Sequence, residues 1–268
     1  MSVQTLYTAA SGMEAMETKL DVIANNLANI NTTAFKKDRA NFEDLLYRAE
    51  VYPGALDATQ VPTAVGTQVG TGVRVTSTQT DQQQGTLQQT NRALDVAIQG
   101  NGYLKVIDPA SQQTMYTRAG NLDINAEGDL VIGSAQTGRR LDPPINIPPD
   151  AENLVITPNG EVQVRIPGQT ELVVQGQIEL AKFINPDGLL KNGENMYLAT
   201  DASGPEATGN PNEEDDGQIV QGSLEASNVE PVQELIDLIT TQRAFELNSQ
   251  AVQAGDQIMQ NISNLRRF

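Results

Sequence analysis

The sequence predicts an α+β chain, with two long helices at its ends and a mainly antiparallel β domain between them. Three observations carry this. Leu6, Met13, Leu20 and Leu27 recur every seventh residue, and Ala9, Met16, Ile23 and Ile30 repeat that interval three positions later, which makes an apolar seam of the kind that lies along another helix. Leu238, Phe245, Val252 and Met259, flanked by Leu235 and Ile262, form a second seam near the other end. Between residues 76 and 221 no helical period appears, and short alternating runs are broken by Asx-Gly and Glu-Gly turns.

Taken in order, the first helix runs from about Val3 to Asn29. Asn29, Asn31, Thr32 and Thr33 end it, because short polar side chains compete for backbone hydrogen bonds. Phe35, Lys36, Lys37 and Arg39 follow as the densest basic cluster, then an apolar patch of Phe42, Leu45, Leu46 and Tyr47. Pro53, Pro62, Gly54, Gly66, Gly70 and Gly72 make residues 36–75 read as an extended, irregular connector. The Thr- and Gln-rich stretch from Val73 to Asn91 reads as a solvated edge strand and loop.

The β domain is expected over residues 76–227. Leu94, Val96 and Ile98 alternate with polar or small neighbours, and Asn101-Gly102 is expected to close a hairpin into Tyr103, Leu104 and Val106. A hairpin device spans Ile124 to Ile132, repeats from Ile156 to Val164, and has a weaker third copy from Ile184 to Leu190. The last helix, within 228–268, starts near Glu230. Ser227 or Asn228 is the expected cap, Pro231 fits the first turn, and Glu230 and Glu234 suit the positive end of the dipole.

Composition narrows the function. Histidine and cysteine are absent, which removes thiol catalysis, disulfides, the Ser-His-Asp arrangement and the commonest metal ligand. The net charge of −17 argues against a nucleic-acid partner. Aromatic residues are only 4% and tryptophan is absent, so the core is thin for the length and association is expected to complete the burial. Each seam is apolar on its own, so the terminal helices are expected to be loosely held until a neighbouring subunit covers them. Met1 to Leu20 lacks a basic stretch followed by an apolar one, so no cleaved secretory signal is expected there.

Candidate chemistry is weak. Asn212, Glu214 and Asp216 before Gly217 resemble a calcium loop, but its twelfth position is Ser223 where a bidentate carboxylate is needed. Asp95, Asp108, Asp123 and Asp129 are carboxylates that could pair as in a glycosidase, but they sit where turns and outward positions are expected. Gly100-Asn101-Gly102 has no helix after it and is a turn rather than a phosphate loop. Lys36, Lys37 and Arg39 read as a solvated or subunit-facing patch. No catalytic residue, metal or cofactor is expected.

One stretch is too specific to be generic: Ala24-Asn-Asn-Leu-Ala-Asn-Ile-Asn-Thr-Thr-Ala-Phe-Lys36. Asparagine is a weak helix former, so Asn25, Asn26 and Asn29 on an outer helix face suggest specified hydrogen bonds to a partner. With Leu6 to Met13, Asp95 to Ile98, Gly100, Gly102-Tyr103, Tyr116 to Gly120, Gly193-Glu194-Asn195, Ser227 to Val229, Gln242 to Glu246 and Asn248, the chain resembles the bacterial flagellar axial proteins, the family of rod, hook and hook-associated subunits. Its length and the connector ending in Val69-Gly70-Thr71-Gly72-Val73 favour the distal-rod branch, with a proximal-rod or hook-type subunit as the alternative.

The resemblance implies a non-enzymatic subunit that is exported through the flagellar apparatus and packed into a helical homopolymer. Its other partners would be proximal rod proteins, the hook protein and the outer ring bushing, and its place the periplasmic rod of the basal body. The residues expected at subunit interfaces are Leu6, Met13, Leu20, Ile23, Asn25, Asn26, Leu27, Asn29 and Ile30 on the first helix. On the last they are Leu235, Leu238, Phe245, Val252, Met259 and Ile262.

Overall fold

The computed structural model describes residues 2–54, 64–134, 137–168, 171–213 and 217–265. It opens with α1 (Ser2–Ala28), followed by β1 (Asp38–Asp44), β2 (Tyr47–Val51), β3 (Thr67–Gly70) and β4 (Val73–Thr80). Next come β5 (Leu87–Gln89), β6 (Val96–Gln99), β7 (Tyr103–Ile107), β8 (Thr114–Thr117), β9 (Leu122–Ile124), β10 (Leu130–Ser134), β11 (Thr137–Leu141), β12 (Asn153–Ile156), β13 (Glu161–Arg165) and β14 (Val173–Gln177). The chain finishes with β15 (Leu180–Lys182), β16 (Leu190–Gly193), β17 (Met196–Leu198), β18 (Ala207–Gly209), β19 (Gln218–Gln221), β20 (Ser223–Glu225) and α2 (Pro231–Leu265). Every strand pair among the described residues is antiparallel. No helix among them is long and apolar enough to cross a membrane.

The elements fall into two units. The first comprises residues 1–28, 38–80 and 230–268: both helices with β1–β4. Here α1 and α2 pack on each other within one chain, which corrects the expectation that each helix waits for a neighbouring subunit. The segment read as an irregular connector is largely strand. β1 pairs with β4 from Asp38 opposite Thr80 to Asp44 opposite Val73, and β2 pairs with β3. Its centre, residues 55–63, lies outside the described residues. Two hydrogen bonds set the turn into β4. Leu45 N donates to Gly72 O at 2.8 Å, and Val73 N donates to Ser11 Oγ on α1 at 3.3 Å. Gly72, at φ +129°, passes so near α1 that a Cβ there would lie 2.2 Å from Ser11 Oγ.

The second unit comprises residues 29–37 and 81–229. Its main sheet runs β16-β17-β8-β7-β11-β10-β9, with β15 joining β7 to β18. The β12-β13-β14 sheet adds to the same apolar core, where Val96, Ile98, Leu104, Leu122, Leu130, Ile145, Val162, Ile178, Leu180 and Ile219 are all buried. A smaller aromatic cluster packs Tyr103, Tyr116, Phe183 and Tyr197 edge to face, with Tyr116 and Phe183 centroids 4.8 Å apart.

Two of the three repeated hairpins form as read: β9 with β10, and β12 with β13. The third copy does not. Pro186–Gly188 is a 3-10 turn, and the flanking strands β15 and β16 pair with other partners. Nor does Asn101-Gly102 close a hairpin. β6 pairs with β19, more than a hundred residues on, while β7 pairs with β8, β11 and β15. Gly100 and Gly102 both take positive φ there, and the turn offers its carbonyls to an arginine instead.

Candidate assembly face and buried ion cluster

In the first unit the helices run antiparallel. A Cβ on Gly255 would lie 2.7 Å from Leu6 Cδ2, a Cβ on Gly12 would lie 3.0 Å from Asn248 Nδ2, and Asn26 Nδ2 donates to Glu234 Oε2 at 3.3 Å. Each heptad forward along α1 is thus matched by a heptad back along α2. The buried face of α1 carries Ala9, Gly12, Ala15, Ile23 and Asn26, while Leu6, Met13, Leu20 and Leu27 flank it half-buried, as does Ile30 beyond the helix end. On α2, Leu238 and Val252 are half-buried, and Phe245 and Met259 are exposed. Between them runs a column that the sequence did not announce: Glu234, Thr241, Asn248 and Gly255, polar or small at every position.

Asn26 is not on an outer face. It is 1% exposed, its Nδ2 donates to Asp38 O at 2.9 Å and its Oδ1 accepts from Asp38 N at 3.0 Å, so the carboxamide reads the backbone of β1 like a strand partner. Asn25 is exposed, and Asn29 Oδ1 accepts from Thr32 Oγ1 at 3.1 Å beyond the helix end. The surface of α2 that α1 leaves uncovered carries large apolar side chains among polar ones such as Arg243, Glu246 and Gln250. Leu235, Ile236, Ile239, Leu247, Ile258 and Ile262 are 48% to 65% exposed. Beside the pair, a cavity of about 890 Å³ is lined by residues including Tyr7, Thr8, Arg48, Glu50, Val69 and Asn248.

The second unit holds a buried ion cluster where the sequence suggested a solvated basic patch. Lys36 Nζ lies 2.6 Å from Glu225 Oε1 and donates to Gln83 O at 2.7 Å, and neither charged side chain is exposed. Arg118 Nε donates to Glu225 Oε2 at 2.9 Å, and Gly85 N donates to Oε1 at 3.0 Å. The remaining guanidinium nitrogens take the carbonyls of Ile98, Gly100 and Gly102, which is why that turn curls where it does. Burial raises the Glu225 carboxyl, but the charges of Arg118 and Lys36 and the hydrogen bonds outweigh it and hold it below the ordinary glutamate value. Burial also pulls the Lys36 ammonium below the ordinary lysine value, against the attraction of Glu225. Tyr103 lies under the guanidinium at 5.7 Å, and burial pushes its hydroxyl up to about 12.

Asn228 is a clamp rather than a helix cap. Its Oδ1 accepts from Lys37 N at 2.8 Å, and its Nδ2 donates to Asp81 O and Gln83 O. The four aspartates do not gather at one site. Asp95 accepts from Thr90 Oγ1 and shares the Arg92 guanidinium with Asp123, while Asp108 accepts from Ser111 and Asp129 from Asn146. No cluster of three carboxylates able to hold a metal exists among the described residues, and three positions of the calcium-like loop, 214–216, lie outside them.

Three segments of the chain match known families. Residues 6–36 match the flagella basal body rod protein family, residues 97–164 the D1 domain of the flagellar hook proteins FlgE/F/G, and residues 220–265 the C-terminal part of the flagellar basal body rod FlgEFG proteins. Over nearly full length the chain is 44% identical to the flagellar basal-body rod protein FlgG of Caulobacter vibrioides, covering 98% of this chain and 100% of that one. It is 40% identical to FlgG of Borreliella burgdorferi, with 99% of each chain covered, and 36% identical to FlgG of Bacillus subtilis, covering 99% and 100%. The chain belongs to the flagellar basal-body rod protein family.

That family is structural and not enzymatic. The residues that carry the resemblance also acquire reasons in this rod protein. Lys36, Arg118 and Glu225 each come from a different one of the three matched segments, and the fold brings them to one point. Gly120 lies so near β6 that a Cβ would sit 1.7 Å from Val96 O. Glu194 and Asn195 take left-handed φ in the turn after Gly193, and Asn195 Nδ2 then donates to Thr33 O at 3.0 Å.

Proposed function

We propose that this rod protein is a subunit of the distal rod, polymerising helically into the hollow shaft that transmits torque from motor to hook. The single observation that carries the reading is the series of exposed large apolar side chains on α2, from Leu235 to Ile262, in a chain whose net charge otherwise favours solvation. In the polymer this face packs on the helices of neighbouring subunits, and Leu6, Met13, Leu20, Leu27 and Ile30, at the flank of the helix pair, close the edges of that contact as a coiled-coil-like layer. The unit formed by residues 29–37 and 81–229 carries the surface that meets the ring bushing. Proximal rod proteins and the hook protein meet the two ends of the shaft, and the subunit reaches the periplasm through the flagellar export apparatus.

Leu235→Asp combined with Ile239→Asp tests the reading. Both side chains are about half exposed in the single chain, so its circular dichroism and melting should hardly change. A carboxylate repeated at every subunit contact should abolish polymerisation, followed by sedimentation and electron microscopy. Polymers of normal appearance from the double variant would refute the assignment of this face.

A further inference from the structure

We infer that residues 29–37 are a strap that opens and closes on an already folded β unit, with Lys36 as its key and Glu225 as the lock. Two independent observations lead there. First, the strap adds little to the apolar packing of the unit: neither of its two apolar clusters contains a residue between 29 and 37. The strap is held chiefly by polar contacts. Ala34 N donates to Glu225 O at 2.8 Å, Asp81 N to Lys37 O at 2.8 Å, Asn228 N to Phe35 O at 3.3 Å, and Lys191 Nζ to Lys36 O at 3.0 Å. Only Ala34, at φ +56°, is a fully buried apolar residue on it, and Phe35 is half-buried with the Lys191 ammonium 5.2 Å from its ring.

Second, the lock is complete without the key. With Lys36 withdrawn, the Glu225 carboxylate still has the Arg118 guanidinium at 2.9 Å and the Gly85 amide at 3.0 Å, so it stays charged and compensated. The reverse does not hold. With Glu225 gone, Lys36 and Arg118 are two buried cations with no counter-ion between them. The carboxylate is therefore a preformed cation receptor, and closing the strap is a separable step after the β core has formed. The strap follows Ala28 of α1 directly and leads into Asp38 of β1, so its closure decides whether that stretch of chain is fixed or free.

Native-state hydrogen exchange on the full-length monomer tests this. The probes are the amides of Ala34, Lys37 and Asp81 against core amides such as Val96, Leu122 and Ile178. In the unaltered protein the strap amides should exchange at least about tenfold faster than the core amides, through an opening that leaves the core protected. Lys36→Met should speed strap exchange by a further factor of about ten or more and leave core exchange unchanged. Glu225→Gln should speed both sets. If strap and core amides exchange together, or if Lys36→Met speeds core and strap alike, the strap is an integral part of the core and the inference falls.

Discussion

Lys36 and Glu225 stand 189 positions apart in the sequence, yet their charged atoms lie 2.6 Å apart with no solvent reaching either side chain. A buried pair of this kind is weak evidence of net stability, because desolvation offsets most of the attraction, but it is unforgiving of half-removal. Glu225→Gln should therefore lower the stability of the β unit by about 3–5 kcal/mol, read from urea denaturation. Adding Lys36→Met to that variant should recover part of the loss, since one stranded cation is then gone. A single variant as stable as the parent would show that the cluster is reached by solvent.

The same carboxylate should govern the acid limb of stability. Its folded value lies below the ordinary glutamate value of 4.5, so the native state holds the charged form more tightly than the unfolded chain does. The stabilisation is fully present above that ordinary value and is lost as the pH falls through the folded one. Urea midpoints from pH 7 down to pH 3 should decline in the parent, and the decline should be shallower in Glu225→Gln. Equal slopes in the two proteins would assign the acid limb to other carboxylates.

Gly120→Ala should be among the most damaging small changes in the chain. The added methyl would sit 1.7 Å from the Val96 carbonyl oxygen, a backbone atom of β6 that cannot turn aside. Gly138→Ala is the control, because its nearest neighbours are Val131 side-chain atoms at 3.7 Å, an ordinary contact. Thermal melting should separate the two clearly, with Gly120→Ala failing to fold or melting far lower.

Asn26→Asp should loosen the helix pair. The substitution removes the donor to Asp38 O and places a carboxylate near Glu234, in a site where Asn26 is 1% exposed. A loss of about 1–3 kcal/mol is expected. Urea denaturation followed by helical circular dichroism reads the effect, and a variant indistinguishable from the parent would remove Asn26 from its positioning role.

Local signals made part of this legible in the sequence. The helices declared themselves by heptad spacing to within a residue or two, and the hairpins at 124–132 and 156–164 by alternation around a tight turn. What failed depended on partners distant along the chain. Lys36 looked like surface because its carboxylate is contributed by β20, and Asn101-Gly102 looked like a hairpin because nothing local marks β19 as the mate of β6. The Glu234, Thr241, Asn248 and Gly255 column escaped because an apolar-period search discards polar residues. Its sevenfold spacing, parallel to that of Leu238 to Met259, was the available clue.

The antiparallel pairing of α1 with α2 has a consequence in time. On the ribosome the helix made first has no mate until the helix made last has emerged, with the β unit formed in between. Closing a contact over that sequence distance is slow compared with the local hairpins, so the β unit should be the early product and the helical face the late one. A chain interrupted before residue 230 can fold its β unit but lacks the α2 apolar face altogether. Completion of synthesis is thereby a condition for the helix pair to form at all.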